Sequence, residues 1–562
     1  MDTLTLAYFS MEFAIHPAMP TYTGGLGVLA GDTIRAAADL AIPAVGMTLL
    51  HRKGYFRQHL DESGNQSEFE KDWDPEDYLE KLPLRVQITM SGHPLQVQAW
   101  RYNVRSEFGH SVPVYFLDTC LPENSPWDQG LTNFLYGGDA RYRLGQEIVL
   151  GFAGIAMLRS LGYHVVQTYH MNEGHSALIT LALMEERAWG RGLHTMEAAD
   201  SQAVKQRCVF TTHTPIPEGH DEFELSLTRE ILGNERTDFL IGARCCDNGK
   251  LNMTSLALSF SRYINGVSMR HEEVTRNIFT NHRIDAITNG VHATTWTSPV
   301  FTDLYDLHIP QWRRDNLYLK YAIRIPLEEI QKAHKEAKAG LLKEIERRTG
   351  IRLDPGVMTI GFARRATEYK RHDLLFHDIE KLKRMVRNGG RMQVIYGGKA
   401  HPRDEAGKAL IRKVFKAAEE LKDDLPVIYL EEYDIDLARY VYSGVDLWLN
   451  TPLKPREASG TSGMKAALNG VPTFSILDGW WIEGHIEGVT GWSIGGGWQS
   501  ESDSGREVAS LYDKLENVIL PVYYEHPEQY AGIMRSVISV NGSYFTTQRM
   551  LTQYVQNAYL RG

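Results

Sequence analysis

Short runs rich in β-branched and aromatic residues recur through the second half of the chain, at 357–363, 392–396, 426–430, 445–449 and 472–477. Their length and near-continuous apolar character suit strands covered on both faces. Amphipathic stretches at 373–387, 406–421 and 437–442 separate them and predict helices. Strands alternating with helices imply βαβ units and a mostly parallel sheet, whose ligands bind beyond the carboxyl ends of the strands. Polar segments follow three of the runs: residues 364–371, Gly397-Gly-Lys399 and Glu431-Glu432. The first half is mixed α/β and less regular, with strands expected at 4–9, 95–104, 114–117, 165–168 and 208–212 and helices at 141–160 and 176–188. A charged helix over 327–348 is placed near a junction, and 511–560 reads as helical with interruptions, its end free to pack back on the first half. The expected fold class is α/β, with an N-terminal unit 1–297, a C-terminal Rossmann-like unit 298–540 and a terminal helix 541–562.

Composition narrows this picture modestly. At 562 residues the chain is too long for one ordinary core. A formal net charge of −10 argues against a general binder of nucleic acid or anionic membranes, yet leaves room for a local basic pocket. Cys120, Cys208, Cys245 and Cys246 show no CxxC pairing, so neither a zinc site nor a disulfide framework is suggested. Asp2 and Glu12 stand where a signal peptide would be basic and then apolar, and no run approaches a membrane span. The expectation is a cytoplasmic protein without membrane or nucleic-acid partners.

Chemistry concentrates in a few segments. In Glu457-Ala-Ser-Gly-Thr-Ser-Gly-Met-Lys465-Ala-Ala-Leu-Asn-Gly470, a Gly/Ser/Thr loop enters a short helix-forming run that Asn469-Gly470 ends. Such a loop offers backbone N–H groups to a phosphate. Lysine also condenses with aldehyde cofactors, of which pyridoxal phosphate is the phosphorylated one. An ordinary surface lysine is the competing reading. Gly25, Gly27 and Ala30 spell G-x-G-x-x-A, a weak dinucleotide signal that equally marks a tight turn or a backbone approach to an anion. Arg364-Arg-Ala-Thr-Glu-Tyr-Lys-Arg371 gathers four cations after a strand, as a solvated helix start or a phosphate site would. His213-Thr-Pro-Ile-Pro-Glu-Gly-His220 lacks a third ligand at metal spacing, so no metal is expected. Thr288-Asn-Gly-Val291 reads locally as a turn, and Asp478-Gly-Trp-Trp-Ile-Glu483 as core aromatics or as a sugar-stacking platform. No Ser-His-Asp elbow, P-loop or HExxH is present; His271-Glu-Glu-Val-Thr275 ends without the second His.

The Glu-Ala-Ser-Gly-Thr-x-x-Met-Lys wording resembles the cofactor-lysine motif of the glycogen/α-glucan phosphorylases. Further resemblances follow in that family's order at 8–13, 24–30, 144–147, 172–178, 213–218, 288–290 and 364–371. The resemblance implies a GT-B architecture, two Rossmann-like domains around a cleft, and retaining phosphorolysis of α-1,4-glucosidic bonds in glycogen or maltodextrin to glucose 1-phosphate. It implies pyridoxal phosphate on Lys465, with Arg364, Gly460 and Thr461 beside it. Arg365, Lys370 and the Gly25 N–H would hold the reacting phosphate. His213, Asn289, Glu457, Ser459 and Gly460 would hold the glucosyl residue, and Tyr369 would close one side. The chain departs from the family at Arg364 (usually Lys), Thr367 (His), Ser462-Gly463 (Gly-Asn) and Glu173 (Asp), the last leaving any role in acceptor binding open. It begins just before the Tyr-x-Ser-x-Glu-Phe block, so the regulatory extension of the animal enzymes is expected to be absent. Family habit suggests a homodimer. The alternatives are a nucleotide-sugar-dependent GT-B transferase akin to glycogen synthase, and a non-catalytic glucan-binding protein.

Overall fold

The computed structural model describes residues 4–188, 190–216, 219–388 and 390–560. Asp2 and, within the His213 motif, Pro217 and Glu218 lie outside the described residues.

Two large sheets organise the chain. The first contains β1 (Leu4–Phe9), β2 (Ala44–Leu49), β3 (Glu80–Met90), β4 (His93–Arg105), β5 (Ser111–Asp118), β6 (Val166–Asn172), β7 (Cys208–Thr211), β8 (Tyr263–Gly266) and β9 (Asp285–Ala286), in spatial order β9-β8-β7-β6-β1-β2-β5-β4-β3. Its pairs are parallel from β9 to β5, and only β3 and β4 add antiparallel edges. Central β1 sets the register, Leu6 opposite Ala44 and Thr168, Phe9 opposite Met47 and Met171. The second sheet is wholly parallel: β10 (Met358–Ala363), β11 (Met392–Gly397), β12 (Val427–Leu430), β13 (Leu447–Asn450), β14 (Thr473–Ile476) and β15 (Gly491–Ile494), in order β12-β11-β10-β13-β14-β15. Every residue of β10, β11, β13, β14 and β15 is buried, which is why these runs lack polar alternation.

Helix α1 (Gly25–Asp39) packs on the first sheet by virtue of its small residues. A Cβ at Gly31 would lie 2.2 Å from the Ala14 carbonyl oxygen, so only glycine lets the helix sit on the segment that follows β1. In the second half, α2 (Leu327–Thr349), α3 (Glu405–Leu421), α4 (Ile435–Gly444) and α5 (Ser462–Ala467) surround the sheet. The terminal helix α6 (Thr547–Tyr554) contacts α1, and Met550, Leu551, Tyr554 and Tyr559 share a core with Leu6, Tyr8 and Ile34.

Two expected elements differ in detail. The helix expected over 373–387 starts only at Ile379, after a 3-10 turn at Leu374–Phe376. Asp378 caps it by accepting from the Lys381 N–H, while its own N–H is spent on the Tyr512 hydroxyl. The helix expected over 141–160 winds its central turn, Val149–Ala153, as a π-helix. There Gly151 and Gly154 let Leu178 and Phe9 press against the backbone.

Candidate active site

The carboxyl ends of β10 and β13 deliver the charged residues. Arg364 leaves β10 directly, and Lys370 ends a 3-10 turn at Glu368–Lys370. Arg371 braces that turn: it donates to the Thr451 and Pro452 carbonyls, both at 2.9 Å, and pairs with Glu507 at 2.6 Å. Lys370 is thereby turned inward. Its Nζ and Arg364 Nη2 converge on one oxygen, Glu457 Oε2, at 2.5 and 2.6 Å. Burial alone would push the Glu457 carboxyl up, but Arg364 and Lys370 hold it down at about 2. Burial and the neighbouring Arg364 pull Lys370 down to about 7 against the opposing pull of Glu457.

The cluster is not saturated. Arg364 Nε and Nη1, the Ser459 hydroxyl, Asn450 Oδ1 and the Trp481 indole N–H are buried without a partner among the described residues. Their side chains line one cavity together with Glu457, Gly460 and Asp478. Buried polar groups in native proteins are overwhelmingly hydrogen-bonded, so such a concentration of orphans marks a place for a polar ligand. Asp478 shapes the loop behind it by accepting the N–H groups of Glu457 and Gly479 at 2.9 and 3.0 Å. Burial pushes its carboxyl up to about 7. Gly479 has φ +55° and approaches the Ser459 carbonyl so closely that a Cβ would fall 2.4 Å from it.

Lys465 lies within α5, 5% exposed. Its Nζ stands 4.1 Å from the Trp296 ring centroid and 5.4 Å from that of Tyr442. No carboxylate among the described residues pairs with it, and burial draws it down to about 8, with Asp32 opposing. Asp32, on α1, is fixed by the Trp296 indole N–H at 2.7 Å, the His292 N–H at 3.1 Å and Arg35 at 3.0 Å. The surface-lysine reading of Lys465 is therefore overturned.

The remaining sequence-predicted residues sit around this centre unevenly. Ser268 Oγ donates to the Ala458 carbonyl at 2.6 Å, and Glu483 accepts from the Met269 N–H and the Thr288 hydroxyl. These bonds bring the Asn289 segment against the Glu457–Gly460 loop. Asn289 is 4% exposed with Oδ1 unpartnered. His213 Nε2 meets Asn172 Oδ1 at 2.7 Å, and burial drops the imidazole to about 3, so it is neutral. Gly25 opens α1, and neither it nor Gly24 has an atom within 4 Å of its Cβ position. Gly27 is the sterically confined one: a Cβ there would lie 2.7 Å from Glu12 Oε2. Tyr369 places its ring 4.4 Å from Lys370 Nζ. Gly460 turns with φ +80°, and Thr461 precedes α5. Arg365 is exposed and takes no part in the ionic cluster. Sequence reading missed Asp32, Trp296, Tyr442 and Asn450. The one available signal concerned Asp32, the single charged residue in the stretch 25–34 of α1.

A doubly sheeted α/β protein with buried cations, an orphaned guanidinium edge and a cloistered lysine has the equipment of an enzyme that handles phosphate. Residues 243–491 match the family model for carbohydrate phosphorylases. The maltodextrin phosphorylase of Thermococcus litoralis is 38% identical over 98% of this chain and 70% of its own. The glycogen phosphorylase of Aquifex aeolicus is 33% identical over 99% and 86%, and that of Mycobacterium tuberculosis 33% over 99% and 70%. The chain belongs to the carbohydrate phosphorylase family, among the glycosyltransferases of the glycogen/maltodextrin phosphorylase group. No helix among the described residues is long and apolar enough to cross a membrane.

Proposed function

We propose that the protein is an α-1,4-glucan phosphorylase, releasing α-glucose 1-phosphate with retention from the ends of glycogen or maltodextrin chains in the cytoplasm. The observation that carries this reading is the convergence of Arg364 and Lys370 on Glu457, with two further guanidinium N–H groups of Arg364 unspent. Buried cations with donors to spare beside a polar-lined cavity suit a phosphate. The reading assigns a GT-B arrangement, with an N-terminal unit 1–297, a C-terminal unit 298–540 and 541–562 returning to the first.

The residues present fit pyridoxal phosphate. Lys465 has an unpaired amine of lowered basicity between two aromatic rings, and Arg364 has donors to spare. Lys465 would carry the aldehyde, and Arg364, Gly460 and Thr461 would hold the phosphate end. When bound, the cofactor would supply a phosphate that exchanges a proton with the substrate phosphate. Lys370, Arg365 and the Gly25 N–H would orient inorganic phosphate against the anomeric carbon, excluding water as the nucleophile. Glu457, Ser459, Gly460, Asn289 and His213 would hold the glucosyl hydroxyls, with Tyr369 closing the pocket. A phosphate oxygen would bond to the anomeric carbon as the glycosidic oxygen leaves with the proton that inorganic phosphate gives up.

The test is phosphate-dependent release of glucose 1-phosphate from maltoheptaose by protein carrying near-ultraviolet pyridoxal absorbance. Lys465→Ala is expected to lose both absorbance and product. Full activity in that variant would overturn the assignment.

A further inference from the structure

Glu173, the residue after β6, is in an unusual state. Its backbone holds φ +86° and ψ +164°, a conformation that glycine adopts freely and other residues only under strain. Strain of this kind persists where surrounding bonds demand it, and here they are visible. The Glu173 N–H donates to the Thr211 carbonyl at 3.0 Å. Its Oε1 accepts from the Gly174 N–H at 3.0 Å, and its Oε2 accepts from the His213 N–H at 2.7 Å and the Thr214 hydroxyl at 3.0 Å. The adjacent Asn172 addresses the same histidine from the other side, its Oδ1 2.7 Å from His213 Nε2 while its amide donates to Ser10 Oγ at 3.1 Å. An amide oxygen only accepts, so His213 carries its proton on Nε2 and Nδ1 is left as an acceptor.

We propose that Glu173 is a positioning residue: the strained backbone aims its carboxylate so that it clamps the 213–214 peptide and fixes the direction in which His213 presents Nδ1 to a hydroxyl of the glucosyl residue. The inference rests on the phosphorylase reading for the identity of that hydroxyl, but the clamp is a property of the chain alone. Aspartate would withdraw the carboxylate by one methylene from the Gly174 N–H and the 213–214 peptide.

The experiment compares Glu173→Gly, Glu173→Asp and the parent. Glycine removes clamp and strain together. The expected result is a melting temperature held or raised, a 10- to 100-fold loss of kcat/KM for maltoheptaose, and a KM for phosphate within twofold of the parent. Aspartate is expected to recover only part of the loss. Imidazole 15N resonances of His213, identified by their absence in His213→Asn, should move in ligand-free Glu173→Gly. Unmoved resonances, or melting temperature and activity falling in parallel, would overturn the proposal. A parent that releases no glucose 1-phosphate would instead sink the phosphorylase reading, leaving the resonance shift to decide the clamp.

Discussion

At the scale of the residue, the site is governed by how few counter-charges it holds. Lys370 and Arg364 share one carboxylate oxygen, and burial leaves Lys370 near 7. A lysine with a lowered value is charged below it and neutral above it. Phosphate capture by the free enzyme should therefore weaken as pH rises through about 7. The measurement is kcat/KM for phosphate against pH: a decline is expected above neutrality, and Lys370→Arg, which stays charged, should flatten it whatever its absolute rate. Residues of this kind were legible in the sequence because Arg364–Arg371 and Glu457–Lys465 are contiguous strings. Asp32 was not, because its bonds to Trp296 and His292 span more than 250 residues and exist only once the chain has folded. Arg365, in the same string, is exposed and stands outside the ionic cluster, a placement that contiguity alone does not foretell.

At the scale of the element, parallel strands were readable where the run was unbroken, as in β10 and β11. β2 escaped because it carries Gly46, whose missing side chain is filled by Val114 and Phe13. The joint between α2 and the second sheet depends on polar bonds that no periodicity announces. Asp446, just ahead of β13, accepts from Lys338 Nζ at 2.6 Å, pairs with His334 Nε2 at 2.8 Å and accepts the Thr359 N–H at 2.7 Å, all buried. Asp446→Ala should strand the Lys338 charge and cost about 3–5 kcal/mol, seen as a lowered denaturant midpoint. Replacing both partners, as Lys338→Met with Asp446→Leu, should recover much of that loss, because neither charge is then buried alone.

At the scale of the whole molecule, the end of the chain completes the beginning. Tyr559 bonds His170 at 2.7 Å, Tyr554 bonds Thr211 at 3.0 Å and Asn265 at 2.9 Å, and Val291 pairs with Thr546 as a parallel bridge. Gly290 makes that bridge fit: a Cβ there would lie 2.2 Å from the Thr546 carbonyl oxygen. Gly290→Ala should lower the melting temperature, at a cost of about 1–3 kcal/mol. It should also raise the KM for maltoheptaose more than that for phosphate, because Asn289 is the next residue. Equal changes in both constants would count against Asn289 as a sugar ligand.

The same return has a consequence for how the protein is made. Leu6 and Tyr8 share their core with Leu551, Tyr554 and Tyr559, which are translated more than 540 residues later. At roughly 5–20 residues per second, β1 waits roughly half a minute to two minutes on the ribosome before that cover emerges. Throughout that time the face of β1 that these residues cover lacks that cover.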